Sequence, residues 1–150
     1  MGDAVTFVKG IVDEITARAA ASPVEICGLL LGAPHRVTAV RHCRNVAPDP
    51  AIAFEIDPGE LIGAHRAARA GGPPLVGCYH SHPVGPPLPS ARDADEAAAN
   101  GWLWVIVGQG GVGVFRAVAD LPDRARFRPV RSVSEDDWLP ELDSNQRPSD

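Results

Sequence analysis

The chain has 150 residues, 45% of them hydrophobic and 22% charged, with a formal net charge of −5. That is enough apolar material for one domain with its own core, and the acidic balance, with no clustered basic stripe, argues against a nucleic-acid partner. The three cysteines, Cys27, Cys43 and Cys78, are odd in number and lack C-x-x-C spacing, so they read as reduced core thiols and exclude a disulfide framework.

Asp3 stands where a secretory signal would carry basic residues, and no apolar run is long enough for a membrane span. The expectation is a cytoplasmic protein with no membrane partner. Apolar residues at Val8, Ile11, Val12, Ile15 and Ala19 recur on one side of a helical period, which predicts an amphipathic helix over 5–21, ended by Ser22-Pro23. Val24–Gly32 is apolar nearly throughout and predicts a buried central strand, with Glu25 an anomalous carboxylate at its edge. Arg36–Cys43 predicts a second strand and Ile52–Ile56 a short third. Pro58 and Gly71-Gly72 bracket a helix over 59–70.

Leu75–His82 predicts the next strand and Ser90–Asn100 a helix stopped by Gly101. Trp102–Val107 and Gly113–Val118 read as a hairpin joined through Gly108-Gln109-Gly110-Gly111, and Phe127–Val133 as a last strand. Trp102 and Trp104, two apart on a strand, share a face. The domain is expected to span 1–133, with 134–150 an acidic, polar tail in which Trp138 and Leu139 could dock and Asp143–Asp150 frays. Interspersed helices and strands with a hairpin give an α/β (α+β) class: one domain, a mixed β-sheet packed between helices.

The chemistry concentrates in His80-Ser81-His82-Pro83, followed by Ser90 and Asp93. Histidines two apart on a strand share a face, and two imidazoles are half of a zinc site. Asp93 at a helix start offers a third ligand. Three protein ligands leave an open position for water, the pattern of a catalytic zinc. Hydrolysis also needs an unligated carboxylate to take the water's proton, for which Glu25 is available, and a hydrogen-bond donor for the developing oxyanion, for which Ser90 is available. Ser90 and Asp93 also fit a helix capping box, a role that competes with oxyanion binding for the one hydroxyl. His35, His42 and His65 have no partners in sequence and read as surface residues.

Pro23-Val24-Glu25-Ile26-Cys27-Gly28-Leu29-Leu30-Leu31-Gly32 together with H-S-H-P-x(6)-S-A-R-D resembles the JAMM (MPN+, Mov34/MPN/PAD-1) zinc metalloprotease domain, whose signature is a Glu followed by H-[ST]-H-x(7)-S-x(2)-D. The likeness extends from the first helix to about Val118 and is closest to the compact stand-alone bacterial members, which carry phrases like Phe54-Glu55-Ile56-Asp57-Pro58. It implies an MPN-like (cytidine-deaminase-like) fold and one zinc per chain on His80, His82 and Asp93 with water in the fourth position. It also implies Glu25 as general acid/base and Ser90 as the residue that steadies the tetrahedral intermediate. The implied activity is hydrolysis of isopeptide or peptide bonds after the C-terminus, Gly-Gly, of a ubiquitin-like or sulfur-carrier protein. The chain lacks the insertions with which larger relatives grip a ubiquitin chain. The competing expectations are a non-catalytic MPN-type scaffold, a general zinc peptidase, and a structural zinc with Cys78 as fourth ligand. A base deaminase is excluded because H-x-E and P-C-x-x-C are missing.

Overall fold

The structure is a computed structural model that describes residues 3–121 and 124–135. Its elements are β1 (Ala4–Phe7), α1 (Ile11–Ala20), β2 (Cys27–Ala33), β3 (Arg36–Cys43), α2 (Pro58–Arg69), β4 (Leu75–Ser81), α3 (Ala91–Glu96), β5 (Leu103–Gly108), β6 (Gly111–Leu121), β7 (Arg124–Pro129) and β8 (Arg131–Ser134). The strands form one sheet of order β7-β6-β5-β4-β2-β3-β1-β8. It is mixed, as expected: β4 and β5 run parallel, and so do β1 and both its neighbours, while β2 is antiparallel to β3 and β4, and β6 to β5 and β7.

The sheet cannot be flat. Eight strands side by side span roughly 34 Å at the usual inter-strand spacing. Yet β7 and β8, its two ends, are separated in sequence by Val130 alone, which bridges at most about 7 Å. The sheet therefore curls until its ends meet. Val130 is buried, and its amide donates to the Val114 carbonyl. The last strand predicted over 127–133 is thus two strands, split where the chain turns inward.

Alternation along β2 sends Leu30 to one face and Cys27 and Leu29 to the other. On the inner face Leu30 packs with Val5, Phe7, Val105 and the α1 residues Ile11 and Ile15. On the outer face Cys27, Leu29 and Cys43 meet Ala64 and Leu61 of α2, and Cys78, Trp104 and Ala117 form a third cluster against Ala97, just past α3. Helices on both faces were expected and are present. The three cysteines are buried and unbonded, and burial pushes the Cys27 thiol up to about 12 and Cys43 to about 11, so they are core residues.

Several boundaries depart from the sequence reading, β6 for instance running Gly111–Leu121 where 113–118 was expected. Four departures have a cause visible in the structure. Residues 4–7 are a strand: Val5 and Phe7 alternate inward, and pairing with β3 and β8 holds them. Local periodicity carries no signal of such distant partners. The predicted third strand at 52–56 has a single bridge, Asn45 to Ile56, because the Asn45 side chain takes up the hydrogen-bonding groups a neighbouring strand would use. α3 stops at Glu96, where Ala97 turns extended (φ −71°, ψ 133°) and joins the outer core. β2 begins at Cys27 and leaves Glu25 ahead of it, because the Glu25 amide is tied to the Pro50 carbonyl at 2.8 Å. Trp138, Leu139 and Asp143–Asp150 lie outside the described residues.

Candidate active site

β4 delivers the histidines. Its C-terminal end carries His80, fully buried between β2 (Cys27) and β5 (Ile106). Just past the strand comes His82, whose amide donates to the Val107 carbonyl at 2.7 Å. The next loop brings in α3 and Asp93, also buried. The His80 and His82 Nε2 atoms are 3.2 Å apart, and they lie 3.2 and 3.3 Å from Asp93 Oδ2. Among the described residues this is the one group of acidic, histidine or cysteine side chains able to hold a metal. Cys78, although buried below the site, is outside it.

The donor set fits zinc. Three atoms 3.2–3.3 Å apart have the spacing of three corners of a tetrahedron whose centre lies about 2.0 Å from each, the distance zinc keeps to imidazole nitrogen and carboxylate oxygen. The tautomer is also suited: His82 Nδ1–H donates to the Pro86 carbonyl at 3.0 Å, which leaves Nε2 its lone pair. Burial holds the His80 imidazole below its ordinary pKa, in the neutral ligating form. In the metal-free protein the same Nε2 atoms carry hydrogens toward Asp93: that contact raises His82, and, against burial, it and the Ser90 amide hold the Asp93 carboxyl well below the usual carboxylate range. An ion at this point would take the place of the imidazole hydrogens.

Glu25 and Ser90 open onto the same groove, a cleft of about 580 Å³ that they line with Ile52, His82, Val84 and Leu88. Glu25 is buried, and burial pushes its carboxyl up to about 7, with His82 and Arg92 pulling down and Asp93 and Glu96 pushing up. A carboxyl with that value is poised to accept and return a proton near neutrality. Ser90 caps α3: its Oγ accepts from the Asp93 amide at 3.0 Å, and its own amide donates to Asp93 Oδ2 at 2.9 Å. The cap uses a lone pair of Oγ and leaves the hydroxyl hydrogen available to donate.

The family that describes prokaryotic homologs of the JAB domain matches residues 8–121. The chain belongs to the prokaryotic JAB family. Over 86 residues it is 41% identical to a desampylase of Haloferax volcanii, a match covering 56% of this chain and 62% of that protein. Over 110 residues it is 39% identical to a probable TtuB-protein conjugate cleaving protease of Thermus thermophilus, covering 71% of this chain and 72% of the relative. The chain thus matches less than two thirds of the desampylase's length. In fold it resembles a JAB1/MPN domain protein of Archaeoglobus fulgidus, with a TM-score of 0.54 at 18% identity over 88% of this chain and 100% of that one.

Three features of this JAB domain escape a sequence reading. The ring of Phe54 stacks on His80 (centroids 4.2 Å apart, planes at 17°), and Trp104 meets the same imidazole edge-on at 5.6 Å. Asn45 makes four hydrogen bonds: Nδ2 donates to the carbonyls of Glu25 (2.9 Å) and Ala53 (3.0 Å), and Oδ1 accepts from the amides of Ala47 and Glu55. It thereby ties the Glu25 segment to the wall of the groove. His42, expected free on the surface, bridges Tyr79 Oη and Glu14, and Arg18 reaches the same Tyr79 hydroxyl at 2.6 Å. Its partners come from α1 and β4, so sequence distance hid them. His65 is exposed, and exposed His35 meets the Ala4 carbonyl at 3.0 Å.

The site loop rests on the β5–β6 hairpin. A Cβ on Gly108 would come within 2.5 Å of Pro86, and one on Gly113 within 2.2 Å of the Pro87 carbonyl. Glycine at both positions lets the loop lie on the hairpin. The Gln109 amide donates to the Gly85 carbonyl at 2.7 Å, completing the seat.

Proposed function

We propose that this chain is a zinc metallopeptidase that hydrolyses the isopeptide or peptide bond after the C-terminal Gly-Gly of a ubiquitin-like or sulfur-carrier protein. One observation carries the reading: the His80–His82–Asp93 triangle, with His80 and Asp93 buried and zinc-ligand spacing throughout, borders the groove into which the buried carboxyl of Glu25 opens. The names of the relatives, a desampylase and a TtuB-conjugate cleaving protease, support the substrate class.

His80, His82 and Asp93 would hold one ion. Zinc bound there supplies a Lewis acid for the scissile carbonyl and lowers the pKa of water to about 7. Glu25 takes a proton from the attacking water and returns it to the leaving nitrogen, a shuttle that a pKa of about 7 suits in both directions. Ser90 donates its unspent hydroxyl hydrogen to the carbonyl oxygen as it becomes negative. The tail enters extended between the 51–52 turn and the 84–89 loop. On the loop side the carbonyls of Gly85 and Pro86 are already taken by Gln109 and His82, so the amides of Val84, Gly85 and Leu88 are the groups for main-chain pairing.

The test is a set of β-grasp proteins ending in Gly-Gly, each joined through its C-terminus to a lysine ε-amine or an α-amine. The zinc-loaded protein is expected to cut after Gly-Gly, to stop when a chelator removes the metal, and to resume when zinc is restored. Cleavage of tagless peptides at unrelated sequences, with every fusion left intact, would reject a ubiquitin-like substrate.

A further inference from the structure

A metal-binding histidine is ordinarily aimed by its second ring nitrogen, which bonds to a carbonyl, a carboxylate or a water and so fixes the orientation of the ring. The two histidines of this site differ in that respect. His82 has such a partner, the Pro86 carbonyl. His80 has none: its Nδ1 is buried and without a hydrogen-bond partner among the described residues. A buried polar atom left in this state is uncommon and calls for a reason.

What surrounds the His80 ring is aromatic. Phe54 lies flat against one face, and Trp104 stands edge-on to the imidazole at 89°. Phe54 and Trp104 also meet each other, with centroids 5.9 Å apart and planes at 73°, and Phe127 of β7 backs Trp104 at 4.9 Å. The imidazole thus sits in a corner of two rings that brace one another. It cannot leave its plane without driving into the Phe54 ring, and a packed interior gives little room for that. Phe54 is itself placed from both sides: Asn45 Nδ2 donates to the Ala53 carbonyl before it, and Asn45 Oδ1 accepts from the Glu55 amide after it. We propose that Phe54, braced by Trp104, is the positioning residue for His80, and that stacking does for this ligand what the Pro86 carbonyl does for His82. This rests on the metal centre of the reading above. Phe54 acts through His80 and not on the reacting atoms. Aromatic character is then what matters at position 54, because an aliphatic side chain occupies similar space but presents no flat face to hold the plane of the imidazole.

The experiment measures the zinc affinity of the full chain by competition with a chromophoric chelator. It also records the visible spectrum of the cobalt(II)-loaded protein, which reports the geometry of the ligands. Phe54 is only half-buried, so it can be replaced without emptying the core. Phe54→Leu is expected to weaken zinc binding about tenfold, the low end of what losing a ligand's outer support costs, and to alter the cobalt bands. Should the leucine variant not fold, Phe54→Met, equally non-aromatic, is expected to show the same loss. Phe54→Tyr keeps the stacked ring and should stay within about twofold of wild type. Ile15→Val, in the inner core, lowers the urea midpoint by packing alone and should leave zinc affinity and cobalt bands unchanged. Unaltered zinc affinity and cobalt bands without the aromatic ring, tyrosine no better than leucine, or an equal zinc loss in Ile15→Val would overturn the role given to Phe54. His80→Ala separates that role from the metal centre. Zinc that wild type does not bind, or that His80→Ala holds as tightly, removes the centre and the role of Phe54 with it. Zinc lost in His80→Ala but untouched in Phe54→Leu removes the role of Phe54 alone.

Discussion

Glu25 is held in a state that costs stability. Its carboxyl is raised from 4.5 to about 7 in the folded, metal-free protein, first by burial. Between those values the folded state keeps a proton that the unfolded state has lost, so this group's contribution is most favourable below pH 4.5 and declines as pH rises through 7. Glu25→Gln should therefore make the metal-free protein more stable than wild type at pH 8, by on the order of 1–3 kcal/mol, with the gap closing toward pH 4.5; urea midpoints at the two pH values measure it. The same substitution should lower turnover on the order of 10²-fold or more while zinc content is kept. Near wild-type turnover would require another base. Asn45 is the second residue on which the site depends. Asn45→Ala strands the Glu25 and Ala53 carbonyls and the Ala47 and Glu55 amides, and removing a hydrogen-bonding hub of this kind costs about 2–4 kcal/mol. Turnover of the folded enzyme should drop along with the urea midpoint, and an unchanged kcat would mean that Glu25 is held without it. These two residues differ in how far sequence exposes them. Glu25 is legible because a carboxylate in an apolar run needs a reason, whereas Asn45 works through backbone groups of a segment that only the fold brings near.

At the scale of elements, α3 brings Asp93 to the two histidines. It has six residues, too few to be stable alone, and its start is fixed by the Ser90 capping box that also orients Asp93. Two substitutions separate the cap from the chemistry. Ser90→Gly costs only a few tenths of a kcal/mol as a cap and Ser90→Ala about 1 kcal/mol, yet both remove the hydroxyl donor and should lower kcat by about 10²-fold. If Ser90→Gly kept full activity, the hydroxyl would be a cap and nothing more. The helices and strands legible in sequence were those with local signals: Pro58 stands in the first turn of α2 as expected, β3 matches residue for residue, and the glycine-rich 108–111 link is the β5–β6 turn. Those missed are set from afar. β1 owes its existence to β3 and β8, and the break at Val130 to a sheet that closes on itself.

That closure is a property of the whole molecule, and one ion-pair cluster holds it. Arg116 of β6, itself buried, meets Asp3 through Nε and Oδ2, with Nη2 to Oδ1 at 3.1 Å, and it also donates to the carbonyls of Gly101 and Pro34. Arg128 of β7 reaches the same carboxylate at 3.3 Å, and the Arg131 amide of β8 donates to the Asp3 carbonyl at 3.1 Å. Strands from both ends of the sheet thus converge on one residue. The Arg116 hydrogen bond, against the opposing effect of burial and with help from Arg128, lowers the Asp3 carboxyl from 3.8 to about 2. The sign follows: with its folded value depressed, Asp3 contributes stability that is fully present above 3.8 and is lost as pH falls through 2. Asp3→Asn keeps the size but leaves Arg116 buried without its anion, a loss of about 1–2 kcal/mol at pH 7 for a shift from 3.8 to about 2. The variant and wild-type stabilities should converge as pH falls toward 2, because acid protonates Asp3 in the wild type and removes the same interaction. The consequence should reach the active site, since β6 carries Gly113, on which Pro87 of the site loop rests, and Pro86 of that loop holds His82. Hydrogen exchange in Asp3→Asn should therefore quicken at the β5–β6 hairpin and the 84–89 loop before it quickens in α2. Equal stability of variant and wild type at pH 7, or exchange that changes uniformly over the chain, would show that the sheet stays closed by its hydrogen bonds and core alone.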